Sequence, residues 1–418
     1  MSNGSPLEGV RVVELAHIMA GPVCGLLLAD MGADVVKVER LPRGDATRGF
    51  LPPSVDGESA AFMMLNRGKR GVALDLRSPE GVDVVRRLLA QADVVIENFR
   101  VGTMERMGLG WEALAQVNPR LVYCQITGFG RTGPMSERGG FDLIAQGHSG
   151  LMSITGEGPG RAPVKVGAPV TDITAGILAA FGVVSALFER ERTGEGRLVD
   201  TSLFEAGITQ TYWQSAIALA SGVSPGPLGS AHPLAAPYQA FRTADGWINV
   251  GASNPRTWKG LTRVIGKPSL AEDPRFAENA GRMAHLDDLV EVLEPYFQRR
   301  STDEWLVRLV AEGVPAGPIA SVGEMLEHPQ TLAREMVIEV EHSALGPVRS
   351  LGRPVKLHRA RSETAGPHPE AASDRPAGAR GRGAPLFGEH TREVLEGYGL
   401  EPSEVELLLA DGIALEAR

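Results

Sequence analysis

The sequence predicts an α/β protein with a Rossmann-like large domain and a smaller α+β domain. Strand-like and helix-like segments alternate through residues 10–126, a pattern typical of a parallel sheet. The chain has 418 residues, which exceeds the usual size of a single hydrophobic core. A break rich in proline and glycine, SPGPLG at 224–229, separates this first region from a second one with a different pattern.

The first segments predict a βαβ unit. The apolar run at 10–15 is a strand, and Gly21-Pro22 opens an apolar helix that runs to Met31, with proline in its first turn. A second strand follows at 34–39. A strand, a helix and a strand joined by short links imply that the two strands pair in parallel.

The remaining segments continue this reading along the chain. In the first region we predict a helix at 78–89, strands at 92–97 and 121–126, and helices at 177–193 and 200–222. In the second region we predict strands at 238–242 and 247–250 and helices at 255–265, 285–298 and 302–312. Residues 359–385, rich in Ala, Gly, Pro and Arg, are predicted to be a mobile connection before a last helix pair at 389–398 and 402–411.

Composition excludes several classes of protein. The net charge of −9 argues against broad nucleic-acid binding, so no nucleic-acid partner is expected. Cys24 and Cys124 lie in apolar runs and are expected to pack in the core of a protein from a reducing compartment. The N-terminus shows no secretory signal, and the apolar helix at 177–188 is expected to be too short to span a membrane. A soluble, cytoplasmic protein is therefore predicted.

Several cofactor and catalytic motifs are missing from the sequence. The first turn, AHIMAG at 16–21, lacks the G-x-G-x-x-G spacing, which disfavours nicotinamide or flavin binding. The sequence contains neither a Walker lysine motif nor a G-x-S-x-G elbow. The nine histidines are scattered, with no close pair at metal-ligand spacing. We therefore expect neither a metal site nor a tightly bound cofactor.

A carboxylate stands where the long apolar helix begins, in the segment VTDITAG at 170–176. Free N–H groups at a helix start are expected to keep Asp172 ionised and oriented. Such a carboxylate can attack an activated carbonyl as a nucleophile. The alternative is that Thr171 or Asp172 is simply the N-cap of the helix, a common role for these residue types.

Nearly the whole chain resembles the class III coenzyme A transferase family (CaiB/BaiF type), which includes the formyl-CoA, carnitine-CoA and benzylsuccinate CoA transferases. The segments that carry the resemblance are AGP at 20–22, LADMGADVVKVER at 28–40, GDATR at 44–48, LNRGKRGVALDLR at 65–77, ENF at 97–99 and RTGEGRLVD at 192–200. Each segment is common by itself, but their order and spacing together are specific.

The resemblance implies a CoA transferase with Asp172 as the catalytic residue, and coenzyme A as a substrate. The positions that match the family's CoA-binding pattern are Met19, Ala20, Arg40, Leu74, Asp75, Leu76, Arg77, Asn98, Phe99, Arg100, Arg106, Gly139, Gly140, Phe141 and Asp142. Guanidinium groups suit phosphates, and apolar side chains suit adenine. The turn at 139–141 matches a segment near the thiol end of CoA.

The resemblance also implies the domain plan and the assembly. The large domain is expected to comprise residues 1–200 and 330–418, a linker helix residues 201–224, and the small α+β domain residues 225–329. Ring-like subunits are expected to interlock as a homodimer.

The reaction implied by the resemblance moves CoA from an acyl-CoA donor, with succinyl-CoA a plausible one, to a carboxylic acid through an aspartyl anhydride and an aspartyl-CoA thioester. One alternative is an α-methylacyl-CoA racemase, which needs an acid/base pair. The racemases carry a His before an Asp-Ile-Asn segment where this chain reads Phe141-Asp142-Leu143, although His148 follows nearby. The other is a catalytically silent CoA-binding protein. Glu205 is expected to be structural.

Overall fold

The computed structural model describes residues 5–358 and 381–417, and it divides the chain into two compact units. The first unit comprises Met1–Ser149, Gly167–Gln210 and Pro329–Arg418. The second comprises Gly150–Val166 and Thr211–His328. The segment 150–166 thus groups with the second unit, although the predicted domain bounds placed it in the large domain.

The strands are β1 (Arg11–Glu14), β2 (Asp34–Arg40), β3 (Ser54–Val55), β4 (Glu58–Ser59), β5 (Arg70–Leu74), β6 (Val94–Glu97), β7 (Val122–Thr127), β8 (Leu198–Ser202), β9 (Tyr238–Arg242), β10 (Trp247–Gly251), β11 (Ala316–Pro318), β12 (Val337–His342), β13 (Gly346–Leu351), β14 (Gly381–Arg382) and β15 (Ala414–Leu415).

The α-helices are α1 (Ala20–Asp30), α2 (Ala60–Asn66), α3 (Pro79–Gln91), α4 (Thr103–Arg106), α5 (Trp111–Val117), α6 (Asp142–His148), α7 (Leu151–Ile154), α8 (Val170–Thr193), α9 (Leu203–Thr209), α10 (Tyr212–Ser221), α11 (Pro255–Val264), α12 (Asn279–Ala284), α13 (Leu286–Phe297), α14 (Thr302–Ala311), α15 (Val322–Glu327), α16 (Pro329–Ala333), α17 (Thr391–Gly397) and α18 (Pro402–Ala410). Two short 3₁₀ helices lie at Ala46–Gly49 and Pro268–Ala271.

A seven-stranded sheet forms the centre of the first unit, in the order β15-β5-β2-β1-β6-β7-β8. All of its neighbouring strands pair in parallel except β15, which runs antiparallel to β5. The predicted βαβ unit is present as β1, α1 and β2, and the predicted strands at 92–97 and 121–126 correspond to β6 and β7. The α/β fold class with a parallel central sheet is confirmed.

Both faces of this sheet are covered by apolar side chains. Val13 and Val95 point into a core shared with α3, α17 and α18. Their neighbours Val12 and Val94 point to the opposite face, into a core shared with α1, α8 and α9. Successive residues of a strand face opposite sides of a sheet, so strands buried on both sides need continuous apolar runs.

The predicted single helix over 200–222, and with it the linker helix over 201–224, is wrong. Residues 198–202 form the edge strand β8, and two separate helices, α9 and α10, follow. The Ser202 side chain accepts a hydrogen bond from the N–H of Glu205 at 3.1 Å and so starts a new helix directly after the strand. This cap separates the strand from the helix at Ser202, although the spacing of apolar residues alone suggests one continuous helix.

The helix α8 is longer than the apolar run suggested. It has 24 residues, and by length and composition alone it is the one helix among the described residues that could cross a membrane. The expectation that this helix is too short is therefore wrong. Its buried residues, including Ala175, Ala179 and Val183, pack in the core beside α1. Cys24 and Cys124 are buried in the same core, as expected.

The second unit contains a three-stranded antiparallel sheet in the order β11-β10-β9. The predicted hairpin and the predicted helices at 255–265, 285–298 and 302–312 are present as β9, β10, α11, α13 and α14. Phe241 and Phe297 stack with ring centroids 4.6 Å apart in its core, beside Trp305. Helix α12 and strand β11 are further elements of this unit.

A second sheet of the first unit, in the order β13-β12-β14, follows α16. The predicted mobile connection at 359–385 lies mostly outside the described residues. Its described part begins with β14, which pairs in parallel with β12. The predicted final helix pair is present as α17 and α18, after which β15 returns to the edge of the central sheet.

Candidate active site

A cavity of about 470 Å³ lies at the carboxyl ends of four neighbouring parallel strands, β1, β2, β6 and β7. Segments that follow those strands, among them 15–20, 98–101 and 126–128, form much of its lining. In open parallel sheets, ligands bind in the crevice outside the carboxyl ends of the strands. The cavity lies wholly within the first unit.

Asp172 lines this cavity as the third residue of α8. The N-cap position is Pro169, without a side-chain cap, so the alternative that Thr171 or Asp172 caps the helix is wrong. The backbone N–H of Ala20, the first residue of α1, donates a hydrogen bond to the Asp172 carboxylate. The Asp172 carboxylate therefore lies in the first turn of α8 and also faces the start of α1.

Close packing of α1 and α8 sets this arrangement. Gly176 lies one turn after Asp172, and a Cβ atom there would stand 2.6 Å from the carbonyl oxygen of Ala20 and 2.7 Å from Cβ of Val23. Only a residue without a side chain allows the two backbones to approach this closely. Glycine at 176 thus brings the start of α1 next to the carboxylate.

Burial raises the pKa of Asp172 to about 7, and the nearby negative charge of Asp142 acts in the same direction. The hydrogen bond from Ala20 opposes the shift without cancelling it. Desolvation thus outweighs the favourable helix termini, and Asp172 is only partly ionised near neutral pH. A carboxylate with this pKa is a stronger base and nucleophile than an ordinary aspartate.

Asp142 supports α8 and does not line the cavity. Its Oδ1 accepts hydrogen bonds from the backbone N–H of Thr171 at 3.0 Å and from the Thr171 hydroxyl at 2.9 Å, and its Oδ2 accepts one from Gln146 Nε2 at 2.8 Å. The Asp142 carboxylate, which lies outside α8, therefore accepts a hydrogen bond from a backbone N–H in the first turn of that helix. The structure assigns Asp142 a positioning contact, and this differs from the CoA contact expected from the sequence.

Most of the residues predicted to bind CoA meet at this cavity. Those that line it are Met19, Ala20, Arg40, Leu76, Asn98, Phe99, Arg100, Gly139, Gly140 and Phe141. Arg40 and Arg100 are exposed and form no ion pair within the described part of the chain. Free guanidinium groups at a cavity suit phosphate groups.

The remaining predicted residues lie outside the cavity lining. Leu74 is fully buried in the core of the sheet, so its side chain offers no surface to a ligand. Arg77 Nε and Asp75 Oδ1 pair with each other at 2.9 Å. Arg106, exposed on α4, donates a hydrogen bond to the Thr103 hydroxyl. A contact of Asp75, Arg77 or Arg106 with CoA stays a prediction.

The two glycines at 139 and 140 allow a loop to contact the end of β7. A Cβ atom on Gly140 would stand 2.5 Å from Cα of Gly128, and one on Gly139 would lie 3.4 Å from the Arg100 guanidinium. The next residue, Phe141, is 69% exposed and projects an apolar ring at the cavity. Glycine at 140 is therefore explained by the lack of space for a side chain in this turn.

Sequence reasoning missed several residues of the lining, namely His17, Ile18, Glu39, Asp45, Ser136 and Arg138. The signal for Asp45 was available, because GDATR at 44–48 is one of the segments that carry the family resemblance. Arg138 adds a third exposed guanidinium beside Arg40 and Arg100. His17 gave no sequence signal, since it lies in a turn without a recognised motif.

Two residues considered for catalysis lie outside the cavity lining. His148 packs edge-on against Phe129, with ring centroids 5.3 Å apart. Glu205 belongs to the cap of α9, where its Oε2 accepts a hydrogen bond from the Ser202 hydroxyl at 2.7 Å. Neither group lines the cavity that contains Asp172, so the structure does not support His148 as the second acid/base group that a racemase needs.

Residues 7–375 match the model of CoA-transferase family III. The chain belongs to this family. Within it, the chain is similar to the succinyl-CoA:glutarate CoA-transferase of Mus musculus, with 36% identity over 98% of this chain and 90% of the relative. It is also similar to the succinate–glutarate CoA-transferase of Agrobacterium fabrum, with 42% identity over 80% of this chain and 85% of the relative.

The fold is that of solved structures of the same family. A CaiB/BaiF family protein from Brucella suis superposes with a TM-score of 0.78 and 40% identity, over 94% of this chain and 99% of that protein. The resemblance to class III CoA transferases, and the prediction of an enzyme that transfers CoA from an acyl-CoA to a carboxylic acid, are confirmed.

Proposed function

We propose that this CoA transferase uses Asp172 as its nucleophile and moves CoA from succinyl-CoA to a dicarboxylic acid such as glutarate. The observation that carries the proposal is the placement of a partly desolvated Asp172 in the cavity, held by the N–H of Ala20 at the start of α1. The substrate pair is taken from the relatives described above, which are named for succinyl-CoA or succinate and for glutarate.

The reaction begins when a carboxylate oxygen of Asp172 attacks the thioester carbonyl of the donor. The carbon–sulfur bond breaks, the CoA thiolate leaves, and an aspartyl–acyl anhydride remains. The thiolate then attacks the carbonyl carbon of Asp172, which releases the donor acid and forms an aspartyl-CoA thioester. The acceptor acid repeats these steps in reverse and leaves as a new acyl-CoA. Each bond that breaks is replaced by one of similar energy, so no other energy source is required.

Residues of the cavity support these steps in different ways. Burial reduces the hydration of Asp172, which strengthens its attack on the carbonyl. The start of α1 carries backbone N–H groups beside the carboxylate, and such groups stabilise the tetrahedral oxyanion. Arg40, Arg100 and Arg138 supply positive charge for the phosphates of CoA.

We also propose that two copies of this chain assemble, in the interlocked form that the sequence resemblance implies. An apolar stripe of Ile177, Phe181, Val184 and Phe188 runs along one face of α8, with the two phenylalanines 72% and 67% exposed. Their spacing of four, three and four residues places them on one side of the helix. A continuous apolar stripe of this kind is typical of a surface that is covered in the working protein. The two free, buried cysteines support our proposal of a cytoplasmic location.

The nucleophile is tested with succinyl-CoA and glutarate. The wild type is expected to exchange CoA and, with succinyl-CoA alone, to form a CoA adduct on Asp172 that hydroxylamine cleaves and mass spectrometry locates. Asp172→Asn is expected to lose exchange by at least about a thousandfold while CoA binding persists, because only the covalent step needs the carboxylate.

The matched control is Asp200→Asn. Burial also raises the pKa of Asp200, but this residue lies on β8 outside the cavity lining. Its substitution is expected to leave exchange near the wild-type rate. Wild-type turnover by Asp172→Asn would contradict the mechanism. Loss of chirality from a 2-methylacyl-CoA without CoA exchange would indicate a racemase, and CoA binding with neither reaction would indicate a silent binder.

A further inference from the structure

The turn between β1 and α1 holds a conformation that its residues do not favour. Ile18 has φ of 66°, in the left-handed region. This region is unfavourable for a β-branched residue, and its cost has to be met by surrounding contacts. The turn lines the cavity and leads directly into Ala20, whose N–H binds Asp172.

Three side chains from outside the turn hold three consecutive residues of it. Lys37 Nζ donates to the carbonyl oxygen of Ala16 at 2.9 Å. Asn98 binds both polar groups of the His17 backbone, accepting from its N–H at 2.9 Å and donating to its carbonyl oxygen at 2.8 Å. The N–H of the strained Ile18 donates to the Asp45 carboxylate, at 3.1 and 3.2 Å from its two oxygens.

Asp45 is itself fixed on both of its oxygens. Oδ1 accepts from the backbone N–H of Thr47 at 2.9 Å and from the Thr47 hydroxyl at 2.8 Å, and Oδ2 lies 2.9 Å from Lys37 Nζ. Asp45 and Lys37 are both buried. Despite the opposing effect of burial, the Lys37 charge and the Thr47 donors hold the pKa of Asp45 well below its usual value.

The charges around this pair form one buried network. Glu14 lies between two lysines, with Oε1 3.0 Å from Lys37 Nζ and Oε2 2.8 Å from Lys69 Nζ. Glu39 accepts from the backbone N–H of Asp45 at 2.9 Å and pairs with Arg48 at 2.7 Å. His17 also lies close enough for its pKa to respond to Asp45, although burial is the larger influence and lowers that pKa. Both oxygens of Asp45 are therefore paired within this network.

We infer that Asp45 is a positioning residue, which holds Ile18 in its left-handed conformation and thereby aims the N–H of Ala20 at the Asp172 carboxylate. Only Met19 separates Ile18 from Ala20, so a change in the Ile18 backbone redirects the Ala20 peptide. The inference rests on the nucleophilic role proposed for Asp172. It assigns a role in the reaction to Asp45, which does not contact the reacting atoms directly.

The test is Asp45→Asn, with succinyl-CoA and glutarate as substrates and kcat measured from pH 5 to 9. In this variant an Nδ2 amide group replaces Oδ2 and can accept a hydrogen bond from neither Lys37 nor the N–H of Ile18, so the turn loses one of its fixed contacts. Weakening of the Ala20 hydrogen bond removes an influence that lowers the pKa of Asp172. The acid limb of the kcat profile should therefore move up by about one pH unit, with a loss of about tenfold at low pH that narrows toward pH 9.

The control is Asp30→Asn, which likewise removes the carboxylate of a buried ion pair, here with Arg67, but does not touch the turn. Asp30 Oδ2 lies 2.8 Å from Arg67 Nη2, and both residues are buried. This variant is expected to lose stability while its kcat profile keeps the wild-type midpoint. Equal midpoints for Asp45→Asn and the wild type would overturn the inference, whatever the loss of stability.

Thr47→Val is a milder second variant if Asp45→Asn does not fold. It removes the Thr47 hydroxyl, one of the two Thr47 donors that orient Asp45, and keeps the Asp45 carboxylate. A smaller shift of the kcat midpoint in the same direction is therefore expected. An unshifted profile for this variant would also overturn the inference. The two proposals are separated by the wild type: absence of the Asp172 adduct there rejects the nucleophile, whereas an adduct with unshifted variants rejects only the role of Asp45.

Discussion

Substitution of Gly176 by alanine tests whether the contact between α1 and α8 sets the reactivity of Asp172. The new Cβ atom would stand 2.6 Å from the carbonyl oxygen of Ala20, so the helices would have to separate by about 0.8 Å to restore an ordinary contact of 3.4 Å. Overpacking of this kind costs about 1–3 kcal/mol, and alanine regains about 1 kcal/mol as the better helix former. We expect a net loss of up to about 2 kcal/mol in the free energy of unfolding.

The same displacement should lower activity by more than the stability loss explains. Ala20 carries both the crowded carbonyl and the N–H that binds Asp172, so moving it disturbs the nucleophile directly. Misplacement of a reacting group by about 1 Å can cost on the order of a hundredfold, and we expect a fall in kcat of about 10- to 100-fold. Urea unfolding and steady-state CoA exchange under folding conditions measure the two quantities separately.

Gly182→Ala is a closely matched control on the same helix. A Cβ atom there would also meet a neighbour at 2.6 Å, but that neighbour is the Cγ1 methyl of Val199, which can move by side-chain rotation. We expect nearly unchanged stability and kcat. If Gly176→Ala behaved like Gly182→Ala in both measurements, the contact between the helices would not control the site, and the reasoning would be refuted.

Three further predictions concern other parts of the same unit. In the wild type, kcat should rise with pH through a midpoint near 7, because the carboxylate form of Asp172 is the nucleophile and its pKa is about 7; a kcat that is flat from pH 5 to 9 would exclude this assignment. Asp142→Asn should move that midpoint to lower pH, because the amide oxygen can still accept from Thr171 while the like charge is removed; an upward or absent shift in the measured profile would contradict this. Phe181→Lys should weaken or abolish the proposed dimer, as measured by sedimentation, since a charge on the exposed stripe opposes its burial; a dimer as stable as that of the wild type would show that another surface joins the copies.

The sequence was sufficient for the elements whose signal is local. The apolar runs of β1, β2, β6 and β7 and the Gly21-Pro22 start of α1 lie close to their predicted positions. The location of Asp172 in the first turn of a long helix was also predictable, because that helix is continuous in its apolar residues. These features depend on residues that are neighbours in the chain, so a single sequence contains the information.

What could not be predicted depends on contacts between distant residues. The ionisation of Asp172 is governed by burial and by Asp142, thirty positions earlier in the chain, and no local pattern encodes either influence. Asp142 itself matched a binding position by resemblance, yet its carboxylate is used by the first turn of α8. The boundary between β8 and α9 at Ser202 could not be recognised, because the spacing of apolar residues continues from the end of the strand into the helix. The long-range contribution at Ser202 is the pairing of β8 with β7, to which the local cap by Ser202 is added.

The outer edge of β5 has a consequence for the order in which this protein can be assembled during synthesis. Its backbone N–H groups at Gly71 and Ala73 bind His390 and Thr391, which follow them in the chain by 319 and 318 positions, and β15 pairs with the same strand. Until those late residues leave the ribosome, β5 presents an unpaired edge, and such edges promote pairing with other chains. A nascent chain would therefore need protection over most of its translation, and the central sheet would close only as one of the final events of folding.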